Sequence, residues 1–170
     1  MNIVVANRQR ARKINSRLLK KIAETLLSDL QIEKAQLGIN LVAAREMSVI
    51  NETFLRHEGS TDVITFDYAN DGRAGSPLPA GGAHGVSRTT MHGELFVCVD
   101  EAVLQAKEFK TTWQSEIARY LVHGVLHLLG HDDRRATARR RMKGEENRRL
   151  AGLSKKFCLA QIGGASKLRV

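Results

Sequence analysis

Two histidines, His123 and His127, stand four residues apart in an apolar segment of the chain. An α-helix has 3.6 residues per turn, so both imidazoles would project from the same helix face, one turn apart. Imidazole nitrogens at that spacing can chelate a single metal ion. A lone histidine in a buried helix is more often a core residue bonded to the backbone, whereas two on one face favour a metal site.

The residues after the second histidine predict a sharp turn that returns further ligands to it. Gly130 follows the last apolar pair of the segment, where glycine can adopt the left-handed conformation that ends a helix. Three potential ligands come next, namely His131, Asp132 and Asp133. One of them would complete a three-ligand site, which with an open position is typical of catalytic zinc. Zinc suits these ligand types best, with nickel, cobalt and manganese as alternatives.

A metal with an open position supports hydrolysis. It lowers the pKa of bound water from 15.7 to about 7 and polarises a phosphoryl or carbonyl oxygen. The zinc peptidase motif places a glutamate, the general base, directly after the first histidine, but this chain has Gly124 there. We interpret Gly124 as leaving space beside the metal and removing the base, which weakens the peptidase interpretation.

The segments around these residues predict an α/β (α+β) fold, in which a roughly four-stranded mixed sheet packs against helices. Apolar residues cover most of the circumference of segment 113–129, so this helix should be the central buried one that carries the metal ligands. β-branched and alternating segments predict strands near 3–5, 37–42, 61–66 and 94–99. Apolar spacing predicts helices at about 16–30, around Met47, after Asp100 and at about 136–150.

The chain length predicts one domain. We place it at 1–150, as a metal-hydrolase domain that contains the histidine segment, and expect a partly ordered C-terminal tail at 151–170. Segment 69–91 is rich in glycine and contains both prolines of the chain, so we expect a flexible surface loop. It is longer than most connections in a compact domain. An inserted flap is favoured over a substrate-facing loop, because the segment has no aromatic or ligand cluster of its own.

The net charge of +9 favours a polyanionic partner such as RNA, although solvated charge is the alternative. Basic residues concentrate at 8–21 and 134–149, on both sides of the histidine segment in the sequence. The arginines expected to contact RNA are Arg10, Arg12, Arg134, Arg135 and Arg139. Because only 5% of residues are aromatic, we expect recognition of backbone and shape over base reading.

Several features predict a soluble cytoplasmic protein with no membrane partner. No apolar run approaches the ~18 residues of a membrane span. The N-terminal apolar run at 3–6 is too short for a secretory signal. Cys98 and Cys158 show no paired spacing, which fits a reducing compartment.

The segment from His123 to Asp133 resembles the signature of the YbeY family of endoribonucleases, also called ribosomal RNA maturation factors. The family pattern is His-Gly-x-Leu-His-x-x-Gly-Tyr-Asp-His, and most positions match. Segments 51–54, 61–66 and 93–97 resemble the family too, so the likeness covers more than half of the chain. It implies a mixed α/β domain, a zinc held by three residues of the signature, and cleavage of single-stranded RNA in ribosomal RNA maturation and quality control.

Two positions depart from the family pattern. The family's third ligand is a histidine, and its position is Asp133 here, while His131 stands in the place of the usual tyrosine. We take Asp133 as the third ligand and His131 as the reserve candidate, since a carboxylate also binds zinc. The family's functional arginine falls at Leu55, and the adjacent Arg56 is the candidate that would replace it.

The leading hypothesis is therefore a zinc-dependent, single-strand-specific endoribonuclease of ribosome maturation. One Zn²⁺ per chain would be held by His123, His127 and Asp133, with His123 and Arg56 as the catalytic residues. Ribosomal RNA is the expected substrate, and proteins of the small ribosomal subunit are candidate partners. The alternatives are an RNA-binding ribosome assembly factor with a structural metal, and a zinc hydrolase of peptide, amide or other non-RNA substrates.

Overall fold

Four strands form a mixed sheet in the part of the chain that the computed structural model describes, residues 1–69 and 90–164. The strands are β1 (Asn2–Asn7), β2 (Lys34–Val42), β3 (Val63–Asp67) and β4 (Thr90–Cys98). In the sheet order β1-β2-β4-β3, the first three are parallel and β3 pairs antiparallel with β4 at the edge. The predicted α/β (α+β) class and four-stranded mixed sheet are confirmed.

Five α-helices accompany this sheet in the described residues. They are α1 (Ser16–Asp29), α2 (Ala44–Ile50), α3 (Val99–Phe109), α4 (Trp113–Leu128) and α5 (Ala136–Lys156). A π-helical turn (Asn51–Leu55) continues α2, and a 3-10 turn (Leu159–Gly163) follows α5. None of the helices described is both long and apolar enough to cross a membrane.

The helix α4 lies in the core and carries both histidines. Its first turn begins at Thr112, whose hydroxyl accepts the backbone N–H of Ser115 at 3.2 Å. Ten of its 16 residues are buried. It contacts α3, α5 and the two strands β3 and β4, so helices and sheet surround it.

Gly124 marks a close approach of α4 to the sheet. A Cβ atom built there would lie 2.8 Å from Leu95 Cδ2 of β4 and 3.2 Å from Val63 Cγ2 of β3. Leu95 is fully buried. The interpretation that Gly124 leaves space beside the metal is therefore wrong, because the sheet fills the space of the missing side chain.

The chain beyond residue 150, predicted as a partly ordered tail, packs on the core as far as it is described. α5 continues to Lys156 because Leu150 and Leu153 extend its buried stripe. In the following turn, Ile162 is fully buried and its carbonyl accepts the backbone N–H of Asn15 at 2.8 Å. The boundary predicted at residue 150 thus falls inside a helix.

The loop predicted at 69–91 lies outside the described residues except at its ends. On one side, the Ala69 N–H donates to Asp67 Oδ1 at 2.9 Å, directly after β3. On the other side, Thr90 and Met91 belong to β4. The predicted flexibility of this segment stays a prediction.

Two glycines in helices provide a matched test of the close approach at Gly124. Gly144 lies on the exposed face of α5 with no atom within 4 Å of a built Cβ. We expect Gly144→Ala to raise the free energy of unfolding by roughly 0.5–1 kcal/mol through helix propensity. Gly124→Ala gains the same helix propensity, but its new methyl group overpacks against Leu95. We therefore expect its free energy of unfolding to be about 1–3 kcal/mol lower than that of Gly144→Ala. Urea unfolding followed by circular dichroism measures both, and equal stabilisation would contradict the packing argument.

Candidate metal centre

α4 ends in a turn that reverses the chain. Gly130 adopts a left-handed φ of 88°. Its N–H donates to the His127 carbonyl at 2.8 Å, and the His131 N–H donates to the Leu126 carbonyl at 3.0 Å. This bond pair is the Schellman motif, which needs a left-handed residue that glycine supplies at least cost. The helix end predicted at Gly130 is confirmed.

Three side chains converge where the chain returns to α4. One ligand atom each from His123, His127 and Asp133 can be chosen so that all lie within 4.8 Å of one another. The Nε2 atoms of His123 and His127 are 3.0 Å apart. Asp133 Oδ2 lies 3.9 Å from His123 Nε2 and 3.7 Å from His127 Nε2. Ligand atoms about 2 Å from a tetrahedral ion stand about 3.3 Å apart, so this spacing fits one metal ion.

The opposite nitrogen of each imidazole has a partner of its own. His123 Nδ1 lies 3.0 Å from Glu146 Oε2, and His127 Nδ1 lies 3.1 Å from the His131 carbonyl oxygen. An oxygen acceptor at Nδ1 favours the tautomer that carries the proton there and leaves Nε2 free. Both rings therefore present the nitrogen that a metal would take.

The electrostatic surroundings of His127 suit a metal ligand. Burial, and next the neighbouring His123, lower the pKa of His127, whereas the Asp133 carboxylate acts in the opposite direction. A lowered pKa favours the neutral imidazole, which is the form that binds metal ions.

Glu146 of α5 is a buried carboxylate held by three donors. Besides His123, Arg119 Nη1 donates to its Oε1 at 2.6 Å and Lys143 Nζ does so at 2.9 Å. Burial alone would raise the pKa of Glu146, but the hydrogen bonds from His123, Lys143 and Arg119 outweigh it and lower the pKa to about 2. Glu146 is therefore an ionised partner that orients His123.

A cavity of about 550 Å³ opens beside His123 and Asp133. Its walls come from α3, α4, α5 and Asp62, which directly precedes β3. Arg119 and Lys143 line it together with acidic residues. Two of the three converging side chains, His123 and Asp133, thus stand at the edge of a space large enough for a small ligand.

Of the two candidates for the third ligand, the structure brings Asp133 to the histidine pair. The His131 side chain is exposed and stands outside the converging group, although its carbonyl supports His127. His131 therefore contributes to this site through its backbone carbonyl and not through its imidazole.

Arg56 and His123 line different depressions. Arg56 ends the π-helical turn in a left-handed conformation with φ 57° and lines an open depression with Glu52 and His57. Leu55 packs against a small buried cluster that includes Met47. The described geometry gives no support to Arg56 as the replacement for the family arginine, and its catalytic role stays a prediction.

The five arginines predicted to contact RNA do not all line the same cavity or depression. Arg139 lines the cavity, and its Nε donates to the Asp133 carbonyl at 2.8 Å. Arg10 and Arg12 line a separate open depression before α1. Arg134 and Arg135 are exposed in the turn before α5.

The sequence reasoning missed Glu146 and Arg119. A signal for Glu146 was present, because α5 buries Met142, Glu146, Leu150 and Leu153, so the acid falls on the apolar stripe at helical spacing. Arg119 lies one turn before His123 on α4, and that spacing places it on the histidine face.

Comparison with known proteins gives one consistent family. A family model described as Endoribonuclease YbeY matches residues 4–154. Relatives named Endoribonuclease YbeY from Syntrophotalea carbinolica and Geobacter metallireducens are 32% and 30% identical, each over 91% of this chain and 97% of the relative. A third, from Myxococcus xanthus, is 36% identical over 79% of this chain, which matches 42% of that protein's length.

The fold also has a solved counterpart. The solution structure of a Thermotoga maritima protein resembles this chain with a TM-score of 0.61, covering 99% of both chains at 21% identity. That identity supports likeness of fold alone. The family resemblance predicted from the histidine segment is confirmed by the family match.

Replacing Glu146 should loosen the metal centre without removing a ligand. We expect Glu146→Gln to weaken Zn²⁺ affinity by about 10–100-fold, because His123 loses its charged partner. The matched control is Glu145→Gln, since Glu145 pairs with Arg148 and Arg149 instead. Competition with a chromogenic chelator measures the affinities. Wild-type affinity in the Glu146 variant would contradict the orienting role.

Proposed function

The chain belongs to the YbeY family of endoribonucleases, and we propose that it is a zinc-dependent, single-strand-specific endoribonuclease acting in ribosomal RNA maturation and ribosome quality control. The observation that carries the proposal is the convergence of His123, His127 and Asp133, of which His123 and Asp133 line an adjacent cavity. A hydrolase needs both a metal-holding group and adjacent room for substrate.

Zinc is the metal we assign, one ion per chain. Two imidazoles and one carboxylate form a donor set found in catalytic zinc sites, which leave a further position open. When bound, zinc acts as a Lewis acid that polarises a phosphoryl oxygen and lowers the pKa of a coordinated water. Asp133, half-exposed at the mouth of the site, adds a negative charge that three neutral histidines would lack.

The chain's own residues hold the ligands in place. Glu146 orients His123, and the His131 carbonyl orients His127. Arg139 donates from Nε to the Asp133 carbonyl and so binds the backbone of the third ligand. We therefore assign Arg139 mainly to positioning, alongside its predicted contact with RNA.

The charge distribution supports an RNA substrate. A net charge of +9 attracts phosphates over a distance, and the depression lined by Arg10 and Arg12 adds a second basic surface. The cavity beside the metal centre fits a flexible strand better than a duplex, whose bases are stacked inside. Ribosomal RNA is the proposed substrate, small-subunit ribosomal proteins are proposed partners, and the cytoplasm is the proposed location.

One observation favours a second function. Leu55 stands where the family has its functional arginine, and it packs into a hydrophobic cluster. An RNA-binding ribosome assembly factor with a structural metal would tolerate that replacement. Such a protein would bind RNA without cleaving it.

Removal of a proposed ligand tests the leading function. We expect His127→Ala to lose bound zinc and the cleavage of single-stranded RNA together. Both zinc affinity and cleavage rate should fall by more than the roughly 10–100-fold that is typical when only a residue orienting a ligand is replaced. His131→Ala is the control, because its side chain is exposed and only its carbonyl supports the site. It should keep both properties. Zinc content by atomic emission and cleavage of a labelled oligoribonucleotide measure the two effects.

The outcomes separate the candidate functions. Full cleavage by metal-free His127→Ala protein would overturn the metal-dependent nuclease. Equal background cleavage by wild type and variant, with RNA binding retained, would favour the assembly factor. Loss of zinc in His131→Ala, with zinc retained in Asp133→Ala, would move the third ligand to His131.

A further inference from the structure

The cavity beside the metal centre extends beyond the proposed ligands to α3, and its lining there combines an aromatic ring with neutral polar groups. We propose that this part of the cavity is a nucleobase subsite, which takes one unpaired base of the RNA strand next to the phosphate at the metal centre. The proposal rests on the proposed endoribonuclease function and specifies how the strand is held. It also departs from the expectation, drawn from the low aromatic content, that backbone and shape are recognised over bases.

Phe109 supplies the stacking surface. It is the last residue of α3, lines the cavity, and is 60% exposed although it is a large apolar side chain. An exposed aromatic ring in the lining of a cavity offers a face on which an unpaired RNA base can stack. Leu104 of the same helix is similarly exposed, at 57%, but does not line the cavity.

Tyr120 supplies a polar group that has no partner within the described residues. The residue lines the cavity and is only 2% exposed, and its hydroxyl makes no hydrogen bond there. A buried hydroxyl without a partner is costly, and such groups are uncommon unless a ligand or water completes them. Gln105 and Asn147 add amide groups to the same lining, and the Asn147 Oδ1 already accepts from Arg119 Nη1 at 3.0 Å. The Gln105 amide and the Asn147 NH2 group are the kinds of donor and acceptor that a base edge takes.

The charges of the lining argue for a base over a second phosphate. Of the three cations in the lining, Arg119 and Lys143 both bond to Glu146, and Arg119 Nε also lies 3.6 Å from Glu116 Oε2. The third, Arg139, bonds to the backbone carbonyls of Asp133 and Arg134 at the metal-centre side of the cavity. Asp62 adds a further carboxylate to the wall. A phosphate placed beside α3 would face the carboxylates of Asp62, Glu116 and Glu146, with Arg119 and Lys143 already paired to Glu146, whereas a neutral base meets no such repulsion.

The volume is suited to a ligand of this size. About 550 Å³ falls within the roughly 300–1,000 Å³ of small-molecule sites, and one wall of the space is the metal centre itself. One nucleotide of a strand can therefore enter while its neighbours follow the basic surface.

Binding of two RNA probes of equal charge tests the subsite. The probes are a short fluorescein-labelled oligouridylate and a strand of the same length whose riboses carry no base. Binding is measured by fluorescence anisotropy with zinc-loaded protein, within a time over which electrophoresis shows both probes intact. We expect wild type to prefer the base-containing strand by roughly five-fold or more. Phe109→Ala should lose most of that preference, whereas Leu104→Ala, the matched surface control, should retain it. Tyr120→Phe should reduce the preference while leaving the thermal midpoint unchanged or higher.

Each result bears on the subsite separately from the nuclease. Equal binding of both strands by wild type, or an unchanged preference in Phe109→Ala, would overturn the subsite even if RNA is cleaved, and would point to phosphate recognition in the cavity. A preference that depends on Phe109 would support the subsite even if no cleavage is found, in which case the proposed nuclease function alone would fail.

Discussion

The left-handed turn at Gly130 is the constraint on which the candidate metal centre depends. Its two backbone hydrogen bonds end α4 and at the same time place the His131 carbonyl beside the His127 ring. The same reversal brings Asp133 back to the histidines. Any other residue at this position would have to adopt a backbone φ near 88°, which is costly for residues other than glycine. The same turn therefore both ends α4 and brings the proposed ligands together.

The second determinant is a buried charge at the contact of α4 with α5. Taking the Glu146 carboxylate out of water is unfavourable, and hydrogen bonds from Arg119, Lys143 and His123 offset that cost. α5 is also fixed at its far end, where Lys156 Nζ lies 2.7 Å from Asp29 of α1. The packing of α5 against the domain is therefore linked to the orientation of a proposed metal ligand.

Sequence patterns within short segments correctly predicted the features that depend on those segments alone. The helical spacing of His123 and His127, the stop at Gly130 and the β-branched strands are properties of short segments, and the sheet and the turn follow from them. The reason for Gly124 lies in Leu95 of another element, so no pattern within α4 could show it. Likewise, the continuation of α5 and the burial of Ile162 depend on a core surface that forms only in the folded domain. The cavity was missed for the same reason, since its lining runs from Asp62 to Asn147.

The three proposed ligands lie within one short stretch of chain, from His123 to Asp133, whereas the cavity is assembled from distant segments. A contiguous set of ligands needs less tertiary structure to meet than a dispersed one, so we expect the denatured chain to keep part of its affinity for the ion. Stabilisation by a ligand depends on the difference between its affinities for the native and denatured states. Metal would then raise the melting temperature of this domain less than its native-state affinity suggests.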